Sequence, residues 1–89
     1  MATRVFKYPI KLLSNELDMP LGAEVLTVQV QENVITLWAK VDDQAPMERR
    51  GFLVLGTGDK FKGDEGAYIG TVQKADGYLI WHVFERSLT

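Results

Sequence analysis

The residues best suited to chemistry lie where an apolar run meets a glycine-rich turn. Phe52–Leu55 is continuously apolar, Gly56-Thr57-Gly58 follows it directly, and Lys60 and Lys62 come shortly after. Glycines expose backbone N–H groups and lysines add positive charge, so this arrangement could hold a phosphate or another anion. The phosphate-loop pattern G-x-x-x-x-G-K-[ST] is missing, and no helix pattern follows the turn. The competing interpretation is a strand that ends in a glycine turn.

Four further residues complete the candidate ligand site. Arg49-Arg50 precedes the apolar run and could clamp a phosphate or carboxylate, with an ordinary solvated pair as the alternative. Trp38 falls on the polar side of a strand pattern, which is typical of an interface or a stacking platform, and Tyr68 is a second candidate for stacking. The full set of candidate ligand-binding residues is Arg49, Arg50, Gly56, Thr57, Gly58, Lys60, Lys62, Trp38 and Tyr68.

Catalytic and metal chemistry find little support in the sequence. His82 is the one histidine, which excludes zinc sites that need two or three histidines. It shares a strand pattern with apolar residues, which favours a packed or hydrogen-bonded histidine over a general base. The acidic pairs Asp42-Asp43 and Asp64-Glu65 lie in loop-like segments, where we expect them to be solvated. We therefore predict a protein that is not an enzyme, with no catalytic residues, metal site or cofactor.

Composition indicates one small globular domain. The 89 residues are 46% hydrophobic and 25% charged, which suits a single core. The net charge of −2, without a basic block, argues against general nucleic-acid binding. The sequence has no cysteine, which excludes a disulfide scaffold and favours a reducing compartment. No apolar run reaches membrane-spanning length and no signal-peptide pattern follows the first residues, so we expect no membrane association.

Strands are the elements that must position the candidate residues. Alternation is clearest in Glu24–Gln31, where Leu26, Val28 and Val30 point to one side, and a tight turn at Glu32-Asn33 leads into the next strand. The other predicted strands are Val5–Ile10, Val34–Val41, Phe52–Leu55, Ala67–Gln73 and Tyr78–Glu85, whereas Lys11–Leu17 fits either a short strand or one helical turn. Because Phe52–Leu55 is apolar throughout, it predicts a central strand that is covered on both faces.

Turn and breaker residues divide these strands. The predicted turns and loops are Met19-Pro20-Leu21-Gly22, Asp42–Glu48, Asp59–Gly66 and Lys74-Ala75-Asp76-Gly77. Pro9 predicts an edge strand, and Gly70 predicts a bulge or a close approach of another segment. We expect residues 1–89 to form one all-β domain, an antiparallel sandwich or partly open barrel of six or seven strands. A domain this small buries limited apolar surface, so we also expect a homo-oligomer.

Several segments carry a family resemblance, and they cover most of the chain in a fixed order. They are Val5-Phe6-Lys7-Tyr8, Pro20–Gln29, Leu37-Trp38-Ala39, Phe52–Gly58, Tyr68–Gln73 and His82-Val83-Phe84. In these segments the chain resembles an uncharacterised family of small proteins found mainly in bacteriophage genomes. Members often carry a histidine after Gly-Thr-Gly, where this chain has Asp59. The resemblance implies a phage origin and action in the host cytoplasm, and it supplies no catalytic residues and no established activity.

Analogy with other small phage proteins gives the expected function, since many of them interfere with host defence. We expect a non-enzymatic binding protein with a counter-defence role that sequesters a nucleotide-like immune signal. The alternative is an inhibitor or accessory protein that binds a host or virion protein through an exposed sheet face. The outward side of Val34–Lys40, which includes Trp38, is the candidate surface for that alternative.

Overall fold

The computed structural model describes residues 2–88, which form two antiparallel sheets. The seven strands in this part of the chain are β1 (Thr3–Pro9), β2 (Leu13–Pro20), β3 (Glu24–Gln31), β4 (Val34–Asp42), β5 (Met47–Gly56), β6 (Ala67–Lys74) and β7 (Leu79–Arg86). One sheet has the strand order β1-β4-β3, and the other has the order β2-β5-β7-β6. The two separate sheets make the fold all-β and not a closed barrel, which confirms the predicted class of an antiparallel sandwich or partly open barrel.

Two tight turns have the backbone that their sequences predict. Glu32 and Asn33 adopt φ values of 50° and 67° between β3 and β4. Two consecutive left-handed residues match the twist of a hairpin, and asparagine tolerates that conformation well. Asp76 and Gly77 are also left-handed, in a single 3-10 turn (Ala75–Gly77) that joins β6 to β7. Both predicted turns are therefore confirmed.

The main core fills the space between the sheets. Its largest fully buried side chains are Phe52, Met19, Leu37, Val41, Val54 and Val83. Burying each such side chain contributes roughly 1.5–3 kcal/mol relative to leaving it exposed. A second cluster of Leu53, Leu55 and Phe84 lies on the outer face of the four-stranded sheet. Strand β5 is therefore apolar because both of its faces are covered, as predicted.

The prediction for β3 was wrong at one position. The pairing of β3 with β4 shifts register between Val25 and Thr27. The extra residue of such a bulge resets the alternation of side chains. Leu26 is consequently 48% exposed, and Val25 packs against the core in its place.

The turn and loop before β5 are shorter than predicted. Met19 and Pro20 are buried residues of strand β2, so the turn that follows is restricted to Leu21 and Gly22. From Leu13 onward, the ambiguous segment before them is a strand and contains no helical turn. Strand β5 begins at Met47, because its first residues pair with the end of β2 and have backbone partners there. Such ladder pairs join segments far apart in the sequence, which local turn signals do not report.

Two backbone features near β6 and at β1 follow the sequence prediction. Strand β1 is an edge strand of its sheet and ends at Pro9. The pairing of β6 with β7 shifts register between Tyr68 and Gly70. A Cβ atom at Gly70 would lie 2.9 Å from Val28 Cγ1, so the two sheets approach closely there. Gly70 thus marks both a bulge and a close approach.

Candidate functional site

Residues 57–66, which we call the β5–β6 loop, cover part of the outer face of the four-stranded sheet. Phe61 packs edge-on against Phe84, with ring centroids 5.4 Å apart. The loop ends at Gly66, whose φ is 87° and where an added Cβ atom would lie 2.1 Å from the carbonyl oxygen of Glu85. Since only glycine fits so close to β7 in this conformation, Gly66 fixes where the loop returns to the sheet.

Glu65 holds the tip of this loop. Its carboxylate accepts hydrogen bonds from the backbone N–H groups of Lys62 and Gly63, and the residue is only 6% exposed. The hydrogen bond from Lys62 contributes most to lowering the pKa of Glu65 below its usual value, while burial acts in the opposite direction. The expectation that this acid is solvated was therefore wrong, because two inward-pointing N–H groups need an acceptor there.

A cleft of about 370 Å³ lies between the β5–β6 loop and strands β2 and β5. We call it the loop cleft. Leu53 and Leu55 line it, together with Leu13 from the start of β2. Three cationic side chains and two carboxylates share the same cleft: Lys60, Lys62, Arg86, Asp64 and Glu65. The cleft thus combines an apolar surface with concentrated charge, which suits a small ligand that has both characters.

Leu13 is a strained residue at this cleft. Its φ is 64°, a left-handed conformation that costs an ordinary residue roughly 1–2 kcal/mol. The side chain is 60% exposed, so burial does little to offset that cost. Strained residues cluster at functional sites, but in residues 2–88 four other non-glycine residues with positive φ lie in hairpin turns. The strain at Leu13 therefore raises a hypothesis about the loop cleft, which a glycine substitution tests.

Lys60 and Lys62, both predicted site residues, line the loop cleft. Among residues 2–88 neither lysine makes an ion pair, although both are close to acidic residues in the sequence. Arg86 lies 3.6 Å from Asp64, measured from Nη1 to Oδ2, and donates a hydrogen bond to Ser14. The two lysines are therefore the cations of the cleft that remain available to an anion.

The predicted arginines do not line the loop cleft. Arg49 forms exposed ion pairs with Glu16 at 3.0 Å and Asp18 at 3.2 Å. Arg50 lies on the inward side of β5, the side that faces the core. It donates hydrogen bonds to both carboxylate oxygens of Glu85, at 2.6 and 2.8 Å, and to the carbonyl oxygen of Ala23. The charge of each arginine is thus balanced by carboxylates of the chain itself.

A larger groove next to β2, of about 610 Å³, contains Arg49. It is more open than the loop cleft, and its walls include Glu16 and Asn15. The Asn15 side chain donates a hydrogen bond to the backbone carbonyl oxygen of Lys11 and accepts one from the backbone N–H of the same residue. Because Arg49, Glu16 and Asn15 already have partners within the protein, this groove is a weaker candidate despite its volume.

The backbone N–H groups of Gly56 and Thr57, in the Gly-Thr-Gly turn, have acceptors within the protein. Gly56 donates to the carboxylate of Asp59 at 2.7 Å, and Thr57 donates to the carbonyl oxygen of Ile80 at 3.3 Å. Asp59, which stands where the resembling family often has histidine, therefore closes the turn. The turn itself offers an anion fewer free donors than its glycines predicted.

A row of polar side chains links the turn to strands β7 and β6. Thr57 Oγ1 lies 2.8 Å from His82 Nε2, Thr71 Oγ1 lies 3.0 Å from His82 Nδ1, and Tyr68 Oη lies 2.6 Å from Thr71 Oγ1. Tyr68 and Thr71 are three residues apart and reach the same face because the bulge in β6 lies between them. Both ring nitrogens of His82 thus meet hydroxyl groups, and among residues 2–88 neither meets a carboxylate.

Trp38 lies on the opposite side of the sandwich from the loop cleft. Its neighbours Leu37 and Ala39 are fully buried in the core, so alternation directs Trp38 to the outer face of the three-stranded sheet. It is half-buried there, between Lys7 of β1 and Thr27 of β3. Trp38 therefore belongs to a separate surface and does not stack on a ligand of the loop cleft.

Apart from Lys60 and Lys62, the residues that line the loop cleft were not predicted as site residues, and three of them show why. Arg86 joins the cleft because β7 pairs with β5 in a register that places Arg86 opposite Gly51. Leu13 contributes through a backbone conformation that leucine rarely adopts, and Glu65 through its burial. The sequence Lys62-Gly63-Asp64-Glu65 could have indicated the role of Glu65, because glycine turns expose N–H groups to nearby carboxylates.

In residues 2–88 no helix has the length and hydrophobicity to cross a bilayer, and no three acidic or histidine side chains are grouped to hold a metal ion. Comparison with curated proteins gave no match, and comparison with solved structures gave none. One family matches over residues 1–89, the full length of the chain. The chain belongs to the family described as a domain of unknown function, DUF7352.

Proposed function

We propose that this protein is a non-enzymatic binding protein that holds a small anionic ligand in the loop cleft. The observation that supports this best is the pair of unpaired lysines, Lys60 and Lys62, beside the leucine surface of Leu53 and Leu55. An anion between the two ammonium groups would form charge-assisted hydrogen bonds, which are stronger than neutral ones. The apolar part of the ligand would cover exposed Leu13, next to the buried Leu53 and Leu55.

The finer form of the proposal is a phage protein that acts in the host cytoplasm against a defence pathway. Its ligand is then a nucleotide-like immune signal whose phosphate meets Lys60 and Lys62. The family resemblance supports this form, as does the volume of the cleft. About 370 Å³ is near the lower end of ligand pockets, which suits a molecule the size of a single nucleotide.

Thermal unfolding with a ligand panel tests the proposal. At least one member of a panel of cyclic and phosphorylated nucleotides at millimolar concentration should raise the melting temperature, because a ligand at about 100 times its Kd adds about 2.7 kcal/mol of stability. Replacing both Lys60 and Lys62 by alanine should abolish the shift. The matched control replaces Lys7 and Lys40, on the other sheet, and should preserve it. A panel without any shift, or an equal loss in both double variants, would refute the proposal.

The second candidate function is binding of a host or virion protein through the outer face of the three-stranded sheet. The observation that favours it is the exposure of Val5 (56%) and Leu26 (48%) on either side of Trp38. Aromatic side chains with apolar neighbours are typical anchors of protein interfaces. The same surface is our candidate for a homo-oligomer contact.

Capture from lysate of infected cells, with the Trp38→Ala variant in parallel, tests this second candidate. A partner that binds the wild type and is lost with Trp38→Ala supports it. Sedimentation of the purified protein distinguishes self-association, which should also weaken in the variant. A monomeric wild type that captures the same proteins as Trp38→Ala contradicts both forms.

A further inference from the structure

We infer that the loop cleft selects ligands with a single negative charge and an apolar body, and that Glu65 excludes multiply charged phosphates. This inference rests on the proposed function and narrows the chemical class of its ligand. Its basis is the charge balance of the cleft. Three cations, Lys60, Lys62 and Arg86, face two carboxylates, Asp64 and Glu65. One positive charge therefore remains uncompensated within the cleft.

The position of Arg86 sharpens this balance. Its guanidinium lies 3.6 Å from the carboxylate of Asp64 and donates to Ser14 Oγ at 2.9 Å. Its positive charge also contributes to the lowered pKa of Glu65. The positive charge of Arg86 is therefore compensated by the carboxylates of the cleft. A ligand would contact the two lysines close to the negative charge of Glu65.

Glu65 differs from an ordinary surface acid because it cannot readily move away. Two backbone N–H groups, from Lys62 and Gly63, bind its carboxylate, and only 6% of the residue is exposed. A second or third negative charge on the ligand would be placed near this fixed carboxylate. Repulsion between like charges is strong in such a partly enclosed site, because the surrounding dielectric is lower than that of water.

The apolar residues of the cleft determine the chemistry of the uncharged part of the ligand. Leu53 and Leu55 line the cleft, and Leu13 is held over it by a strained backbone. A small hydrophilic ion such as inorganic phosphate would leave Leu13, which is 60% exposed, in water and gain little from it. A compact phosphodiester or sulfonate with an apolar group satisfies both the lysines and the leucines.

Calorimetric titration with three probes tests the inference. The probes are cyclic AMP, which is a singly charged phosphodiester, ATP, which is multiply charged, and octanesulfonate, which is singly charged and has no base. We expect cyclic AMP and octanesulfonate to bind the wild type at least about tenfold more tightly than ATP, a difference of about 1.4 kcal/mol. Glu65→Gln should raise the affinity for ATP about tenfold and change the affinity for cyclic AMP much less. Glu32→Gln, which makes the same charge change in the exposed β3–β4 turn, should change neither.

A second variant keeps the test decisive if Glu65→Gln does not fold. Asp64→Asn removes the other carboxylate, whose side chain is 66% exposed, and should also favour ATP over cyclic AMP relative to wild type. Failure of all three probes to bind refutes the proposed function together with this inference. Tighter binding of ATP than of cyclic AMP by the wild type leaves the function intact and overturns the inference. Equal effects of Glu65→Gln and Glu32→Gln would assign the change to overall charge, which also overturns it.

Discussion

The backbone N–H of Gly63 donates a hydrogen bond to the carboxylate of Glu65 at 3.0 Å. The N–H of Lys62 donates to the same carboxylate. Adjacent N–H groups in a glycine turn are a common way to bind an anion, and here the anion comes from the chain itself. The loop consequently has a defined shape before any ligand enters, and the lysine side chains are left for the ligand.

The lowered pKa of Glu65 gives a pH-dependent contribution to stability. Because its folded-state pKa lies below the ordinary value of 4.5, the contribution is complete above that pH and is lost as the pH falls through the folded-state pKa. Urea unfolding of wild type and Glu65→Gln at a series of pH values measures it. The difference between the two proteins should be constant near neutrality and shrink below pH 4.5. A difference that stays constant down to strong acid would contradict this account.

Alanine substitutions at Gly66 and Gly58 distinguish the stability cost of steric crowding from that of backbone strain. Both have left-handed φ values, 87° and 95°, but an added Cβ atom meets the Glu85 carbonyl at Gly66 and nothing within 4 Å at Gly58. Gly58→Ala should cost about 1–2 kcal/mol from conformation alone. Gly66→Ala should cost at least about 2 kcal/mol more, because the loop must also move away from β7. Denaturant unfolding compares the two, and equal losses would show that the close approach does not matter.

Arg49 and Arg50 allow the stability contribution of an exposed ion pair to be compared with that of a partly buried one. Arg50 binds Glu85 through two hydrogen bonds in a partly buried position, with side-chain exposures of 16% and 30%. Arg50→Ala should lower the free energy of unfolding by about 1–3 kcal/mol, because it leaves Glu85 and the Ala23 carbonyl without this partner. Arg49→Ala removes pairs that are exposed to solvent and should change stability little. Similar losses for both variants would contradict the importance of burial.

Local signals in the sequence were sufficient for the features that depend on neighbouring residues. The turns at Asn33 and Gly77 and the bulge at Gly70 follow from residues that tolerate unusual backbone or lack a side chain. The apolar character of Phe52–Leu55 required cover on two faces, which the core and the β5–β6 loop provide. These features are set within a few positions of the chain, so a single sequence reports them.

Features that depend on strand order could not be predicted from local sequence patterns. Trp38 and Lys60 were grouped as one site, but the sheets place them on opposite sides of the sandwich. Arg86 reaches the loop cleft only because β7 lies next to β5. The bulge that exposes Leu26 depends on pairing with β4 and has no glycine to mark it. Long-range pairing decides each of these positions, and one sequence contains no direct record of it.

Leu13 and Ala75 test whether backbone strain serves the loop cleft. Their φ values are 64° and 52°, and both side chains are exposed. Substitution by glycine removes strain of roughly 1–2 kcal/mol and adds about 0.5–1 kcal/mol of chain entropy to be lost on folding. Leu13→Gly and Ala75→Gly should therefore each leave stability unchanged or raise it by about 1 kcal/mol, as measured by urea unfolding.

Ligand affinity should distinguish the two variants. Leu13→Gly also removes an apolar wall of the loop cleft, whereas Ala75 lies in the β6–β7 turn and does not line it. Loss of a contact between leucine and ligand should weaken binding of octanesulfonate several-fold in Leu13→Gly, and Ala75→Gly should bind like the wild type. Higher stability together with weaker binding at Leu13 alone would mean that this strain is retained for the ligand. Unchanged binding in Leu13→Gly would instead separate the strained residue from the site.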